Sequence, residues 1–392
     1  FFFFFFSFFY IWIENHETKR DASQEVSEHD SKIEDESCDL NYNIVSILQE
    51  MQRIYELMGD NWREFAYKRA CGIVKMFPKK IETEADVALL LKTKGFSKKL
   101  GAKVLEIIQT GQLKKLNELK KLPQIEASNL FMGIWNQTSL CGNRGVGHQT
   151  VTQWYRLGYR TLDDVREKAA LNERQKIGLK YYDDLRAKIP RCEVEEIEHF
   201  VKKEVMKIES ECALVTCGSY RRGKAESGDV DLLITHPRAK KIVGLLEKIV
   251  DQLNKAGFLK DHFSLPSHKN KHAVDHHDTY MGICKLPDTA DGRVYKYCRH
   301  LDIKVFPPAA FPFALLYFTG SDHFNRSMRY FAKKKGYTLS SYQLAPAIRL
   351  NNHKTHTGQP ILCSSEEQVF EVLGLKYVKP CDRNNHEYFE FS

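Results

Sequence analysis

The stretch Cys217-Gly218-Ser219-Tyr220-Arg221-Arg222-Gly223-Lys224, followed by Gly228-Asp229-Val230-Asp231, restricts the fold more than any other part of the chain. A β-type run, Ala213 to Cys217, leads into it, and a second, Val230 to Ile234, leads out, with a glycine turn and a helix-sized gap between them. Side chains two apart on a strand share a face, so Asp229 and Asp231 point one way while Val230 and Leu232 point to a core. Two carboxylates that close repel each other unless a proton or a cation lies between them. Gly218-Ser219 leaves a strand and opens toward a helix, where free N–H groups and a hydroxyl can hold a phosphate. Arg222 adds a forked, permanently charged donor for the same anion. Hard oxygen ligands beside a phosphate-binding turn suit Mg²⁺.

A third carboxylate fits the same pattern. In Arg299-His300-Leu301-Asp302-Ile303-Lys304-Val305 the apolar residues alternate toward the core and leave His300, Asp302 and Lys304 on the opposite face. An isolated D-x-D often does no more than cap a turn. With Gly-Ser ten residues before Asp229 and a third aspartate on another strand, the set reads as a two-metal phosphoryl-transfer site.

The 392 residues suggest two or three domains. From Tyr42 to about Leu116 the pattern is helical: Ile44, Ile47, Leu48, Met51, Ile54 and Leu57 recur every three or four residues, a second helix runs from about Trp62 to Met76, and a third starts near Lys98. Short helices with glycine turns at Gly145–Gly147 and Gly158 continue to Pro190. After Arg191 a helix from Val194 to Ile208 precedes the β runs, with further β signals at Tyr280–Cys284 and Leu301–Val305. A last helix is expected from Ser321 to Lys335, with Ser321 as N-cap after the glycine turn Tyr317-Phe318-Thr319-Gly320. On it Asp322, Asn325 and Arg329 share one face, which spacing alone assigns to solvent.

The start of the chain is different. Eight of the first nine residues are phenylalanine, a run too short to span a bilayer and without the basic start of a signal peptide. It reads as lying outside the fold, and the acidic, serine-rich stretch after it as a disordered leader. Ten cysteines without a C-x-x-C pair indicate reduced structural thiols, and the run His262, His268, His272, His276, His277 reads as a solvated loop.

The strings CGSYRRGKAESGDVDLLITHP, YFTGSDHFNRSMR and EEQVFEVLGLKYVKPCDRN resemble the family X DNA polymerases, and the resemblance runs collinearly over about residues 42–385. It implies an α+β chain in which a helical helix-hairpin-helix, lyase-like domain is followed by a right-hand-like polymerase domain with a nucleotidyltransferase palm sheet. The expected division is a leader at 1–41, the lyase-like domain at 42–117, a fingers-type subdomain at 118–192, the palm at 193–316 and a nucleotide-selection subdomain at 317–392. The resemblance makes Asp229, Asp231 and Asp302 the ligands of two Mg²⁺ ions, with Mn²⁺ an alternative, and Asp302 the acceptor of the primer 3′-hydroxyl proton. Ser219, Arg222 and Gly228 match the triphosphate contacts. Tyr317, Phe318 and Gly320 match the platform beneath the sugar, Asp322 and Asn325 the contacts to the nucleotide, and Arg329 a template contact.

In the helical module, Lys94 to Lys103 resembles the family's first helix-hairpin-helix, with Thr110 to Leu116 as its matching end. Such a turn binds backbone phosphate without reading bases, and a monovalent cation at these motifs is part of the expectation. Lys99, Lys115, Arg63 and Tyr67 would surround a 5′-phosphate. Lys103 aligns with the lysine that removes an abasic sugar-phosphate through a Schiff base. Lys94, Ser97 and Ala102 depart from the usual hairpin, His300 stands where an arginine is expected, and Asn136–Arg144 is an insertion before the second hairpin, Gly145-Val146-Gly147.

The formal charge of +8 is an average of unlike parts. Residues 14–39 hold ten acids and three bases, so the chain from residue 40 onward carries fifteen more bases than acids. Gapped or nicked DNA and deoxynucleoside triphosphates are the partners that account for this, with a monomer, no membrane association and a nuclear location expected. Two rivals stand beside the polymerase: another nucleotidyltransferase with the same palm, and a non-catalytic DNA-end-binding scaffold.

Overall fold

Apolar residues at every third or fourth place build the first part of the chain. In the computed structural model, which describes residues 40–93, 95–134, 146–265, 278–288, 292–350 and 353–384, two units form, one from 40 to 182 and one from 183 onward. Residues 1–39, Lys94, the 136–144 insertion, Gly145 and the histidines from His268 to His277 lie outside the described residues, whereas Asn41, expected in the leader, is buried and its Oδ1 accepts from Ile81 N at 2.8 Å.

In the first unit α1 (Tyr42–Leu57) buries Ile44, Val45, Leu48, Met51, Ile54 and Tyr55 on one stripe. Each such side chain contributes on the order of 1.5–3 kcal/mol on leaving water. Asp60 caps α2 (Asn61–Lys75) by accepting from Arg63 N. A helix absent from the sequence expectation, α3 (Glu84–Lys92), starts at a capping box formed by Thr83 and Asp86. The shorter Asp in place of the usual Glu or Gln hides that signal. Ser97 caps α4 (Lys98–Thr110), which ends at Gly111 in the left-handed region. Then follow α5 (Lys114–Lys120) and α6 (Pro123–Met132), and after Gly147 come α7 (His148–Arg156), α8 (Leu162–Lys168) and α9 (Glu173–Lys180). Two cores result, one centred on Leu48, Met51, Leu90 and Val104, the other on Phe131, Trp154 and Val165.

The second unit is built on a five-stranded sheet of β1 (Ala213–Thr216), β2 (Val230–Thr235), β3 (Leu259–Ser264), β4 (Asp278–Cys284) and β5 (Arg299–Val305) in the order β1-β2-β5-β4-β3. Only β2 and β5 run parallel; the other neighbours are antiparallel. Strand β3 was not expected, because Leu259–Ser264 carries charged and polar side chains at an edge position. Val230, Leu232, Ile234, Leu301, Ile303 and Val305 face α10 (Arg191–Met206) and α12 (Leu245–Lys255) across the main core. The gap before β2 holds only a four-residue helix, α11 (Gly218–Arg221), and a short pairing of Glu226-Ser227 with Ile189-Pro190.

The opposite face of the sheet is divided. Leu233, Cys217 and Phe306 pack under α13 (Phe311–Thr319), whereas Asp231, Asp302 and Lys304 occupy the remainder. Beyond it α14 (Asp322–Lys334), a three-stranded sheet of β6 (Tyr337–Leu339), β7 (Leu344–Leu350) and β8 (His353–Thr357), and α15 (Glu366–Leu373) share a separate core around Phe324, Met328 and Phe370. Among the described residues the cysteines are free thiols, and no helix is long and apolar enough to cross a membrane.

Candidate active site

Parallel pairing of β2 with β5 places Asp231 directly opposite Asp302. Asp229 stands one residue ahead of β2, two before Asp231, so the expected three carboxylates meet at one end of the sheet. Their charges interact: burial first, and then the charge of Asp231, push the Asp229 carboxyl up to about 6, against the pull of His300 and Lys304. Asp302 is 2% exposed, and its Oδ1 accepts no hydrogen bond among the described residues; His300 Nε2 stands 3.4 Å from it.

A lysine holds the cluster together. Lys304 Nζ donates to Asp231 Oδ1 at 2.8 Å and to Asp302 Oδ2 at 3.0 Å, and lies 4.7 Å from the centre of the Phe318 ring. Burial opposes its charge, but the two carboxylates outweigh burial and hold the ammonium well above the ordinary lysine range. Alternation places Lys304 on the face of Asp302 without assigning it a role; its position two residues further along the same strand is the signal for one. With the ammonium between them, no set of three His, Cys, Asp or Glu donors among the described residues is arranged as a closed metal cage. The carboxylates of Asp231 and Asp302, one of whose oxygens accepts no hydrogen bond among the described residues, and that of Asp229 still form a hard anionic donor set that fits divalent cations.

The turn beside it passes very close. Gly218 adopts φ +57°, and a Cβ there would lie 2.6 Å from Asp231 Oδ2, so only glycine lets the backbone cross the carboxylate. Cys217 N donates to Asp231 O at 2.8 Å, and Ser219 Oγ to Ser227 Oγ at 3.0 Å. Arg222 Nη1 donates to the Thr319 carbonyl at 2.6 Å and borders Gly320. Lys188, which sequence reading passed over, brings Nζ beside Gly228.

A buried ionic chain fixes the Thr319-Gly320-Ser321 turn. Arg221 reaches Thr319 Oγ1 and Glu366 Oε2, both at 2.7 Å; Arg383 Nη1 reaches Glu366 Oε1 at 2.9 Å; and Ser321 Oγ donates to the Arg383 carbonyl at 2.8 Å. Glu366 is fully enclosed, yet the two guanidiniums override burial and keep its carboxyl below the usual range. Isolated charges at 221, 366 and 383 carry no signal in sequence, since nothing there shows that they are buried. Asn325 Nδ2 donates to Tyr317 O at 2.7 Å, Arg329 Nε to Asn325 O at 3.2 Å, and Asp322 pairs with Arg326. Tyr317, Asn325 and Arg329 thus line one shallow cleft with Leu339 and Ser340.

In the first unit, α4 carries Lys99 and Lys103, and Lys103 Nζ donates to the Lys99 carbonyl at 3.4 Å. Burial chiefly, with the charge of Lys99, lowers the Lys103 ammonium below its ordinary value, against the pull of Glu106. Arg63 pairs with Asp60 and lies over the Tyr55 ring, and Lys115 pairs with Glu118 at 3.3 Å. Tyr67 is only 4% exposed and stacks on Tyr55 at 5.4 Å. Gly147 caps α7 with open space beside its Cα.

Four family models match stretches of the chain. Residues 188–308 match the DNA polymerase beta palm, 314–384 the DNA polymerase beta thumb, 129–186 the fingers domain of DNA polymerase lambda, and 39–113 a helix-hairpin-helix domain. The chain is similar to DNA polymerase lambda of Rattus norvegicus, 37% identical over 349 residues, which is 88% of this chain and 56% of the relative. It is also similar to DNA polymerase lambda of Arabidopsis thaliana, 34% identical over 348 residues, 88% of this chain and 62% of the relative. The chain therefore spans somewhat more than half the length of these curated relatives.

Proposed function

The chain belongs to the family X DNA polymerases, and from that premise we propose that it is a template-directed DNA polymerase that fills short gaps during repair. Base excision and end joining are the settings this suits, and chromosomal DNA as substrate puts it in the nucleus. We divide it as 42–117 lyase-like, 118–192 fingers-type, 193–316 palm and 317–392 nucleotide selection. The observation that carries the reading is the registered pair Asp231 and Asp302 with Asp229 beside them and a Gly218-Ser219 turn passing over.

Asp229 and Asp231 would hold two Mg²⁺ ions and Asp302 one of them; when bound, they supply the charge that acidifies the primer 3′-hydroxyl and neutralises the triphosphate. Asp302 Oδ1, lacking a hydrogen-bond donor, is the atom to receive the hydroxyl proton. Arg222 exchanges the Thr319 carbonyl for a phosphate oxygen, with Ser219, Gly228 and Lys188 around it. Asn325 similarly exchanges the Tyr317 carbonyl for the incoming nucleotide, over the Tyr317–Phe318 platform and next to Asp322. Gly320 keeps that turn open, and Arg329 takes the template strand. Backbone contacts fall to Gly147, Lys99, Lys115, Arg63 and Tyr67, of which Tyr67 is only 4% exposed. Lys103, its amine eased toward the neutral form, is the nucleophile of a 5′-deoxyribose-phosphate lyase.

The deciding experiment is primer extension on one-nucleotide-gapped DNA with Mg²⁺. Addition of the single templated nucleotide is expected. Addition without regard to the template favours another nucleotidyltransferase, and binding without addition favours a scaffold.

A further inference from the structure

His148 has no part in the reading so far, yet it joins two backbone turns within the first unit. Helix α1 closes with a Schellman turn: Gly59 N returns to Glu56 O at 3.0 Å and Asp60 N to Tyr55 O at 2.9 Å, with Gly59 at φ +69°. Met58 N takes the Ile54 carbonyl, which leaves the carbonyl of Leu57, the last helical residue, outside the pattern. His148 Nδ1 lies 3.0 Å from that oxygen. A carbonyl only accepts, so Nδ1 carries the proton, and Nε2 faces Thr152 Oγ1 at 3.4 Å. The imidazole sits so tightly on the turn that a Cβ at Gly59 would stand 2.3 Å from Nε2.

Both joined turns lead to residues assigned to DNA. Asp60, the next residue, caps the helix that carries Arg63 and Tyr67. His148 itself is the first residue of α7, immediately after the second hairpin's Gly147. We propose that His148 is a positioning residue, a latch that holds the 5′-phosphate-binding helix at a fixed distance from the second hairpin, so that a short gap bearing a 5′-phosphate engages both at once. The proposal rests on the gap-filling reading above. Two weak phosphate sites joined rigidly bind one duplex far better than either site alone, and a loosened joint loses that gain without losing either site.

The test uses the full chain and fluorescence anisotropy on two DNAs: a one-nucleotide gap with a 5′-phosphate, and the same primer–template without the downstream strand. His148→Ala should weaken binding to the gapped DNA about tenfold and leave the primer–template unchanged. His148→Asn, whose side-chain N–H can replace Nδ1, should restore most of the difference. Amide exchange at Gly59 and Asp60 should rise in His148→Ala and not in His148→Asn. A gap preference that survives His148→Ala overturns the latch alone, as does equal weakening on both DNAs. A wild-type chain that does not distinguish the two DNAs overturns the gap-filling reading, and the latch with it.

Discussion

The carboxylate end of the palm sheet and the lysine-bearing face of α4 solve the same problem in opposite ways. Each crowds like charges where a reaction is proposed. In the sheet, crowding is relieved by a buried counter-charge, Lys304, between two registered strands. On α4, Lys99 and Lys103 are a turn apart on one helix, and partial burial instead lowers the pKa of the Lys103 ammonium. A strand pair can lock an ion network from two sides, whereas on a single helix Lys103 meets no such counter-charge between strands. The first arrangement suits fixed electrostatics and the second suits a nucleophile.

That contrast is broken most directly by separating the two proposed activities. Asp302→Ala should reduce single-nucleotide incorporation by about 10³-fold or more, with nucleotide affinity nearly unchanged and borohydride trapping on abasic DNA intact. Lys103→Ala should do the reverse, abolishing the trapped adduct and sparing gap filling. An adduct that persists in Lys103→Ala removes that lysine from the chemistry, and retained single-turnover incorporation in Asp302→Ala removes that aspartate.

The next test concerns Lys304. Taking one partner from a buried ionic group typically costs about 3–5 kcal/mol, because the remaining charges lose their compensation. Lys304→Met should therefore lower unfolding free energy by about 3 kcal/mol without divalent cation, and millimolar Mg²⁺ should return part of that loss. Guanidinium melts with and without Mg²⁺ read both quantities. Equal stability of the two proteins without metal would mean that Lys304 does not balance the cluster.

How much of this was legible depends on whether the deciding physics is local. Strand period fixes faces, so alternation puts Asp231 and Asp302 on the face away from the main core, where parallel pairing sets them opposite each other, while Asp229 stands just ahead of the strand. The N-cap at Ser321 was legible for the same reason, but the solvent-facing assignment of the polar face of α14 was not: Asn325 is buried with its amide on the Tyr317 carbonyl. The Arg221–Glu366–Arg383 chain was not, because it joins positions up to 162 residues apart and each residue alone looks like solvent-facing charge. Strand β3 and helix α3 escaped because their signals, an edge strand of mixed polarity and an aspartate capping box, are weak in isolation. His148 gave no signal either: its partner is a backbone carbonyl 91 residues away, and carbonyls are the same at every position.

The same contrast can be read through pH. Burial and Asp231 raise the Asp229 carboxyl to about 6 from an ordinary 3.8. Between those values the folded chain holds a proton that the unfolded chain has released, so stability falls as pH rises through the window. Above it the folded state carries the whole penalty, and below it none. Asp229→Asn removes the charge, so it should stabilise the metal-free protein by up to roughly 3 kcal/mol at pH 7 and hardly at all at pH 4. The same variant should lose much of the stabilisation that Mg²⁺ gives the wild type, since a donor is gone. Denaturant melts at the two pH values, repeated with Mg²⁺, separate these effects. A stabilisation of equal size at pH 4 and pH 7 would show that the amide improves packing and that carboxylate crowding is not what distinguishes the sheet from α4.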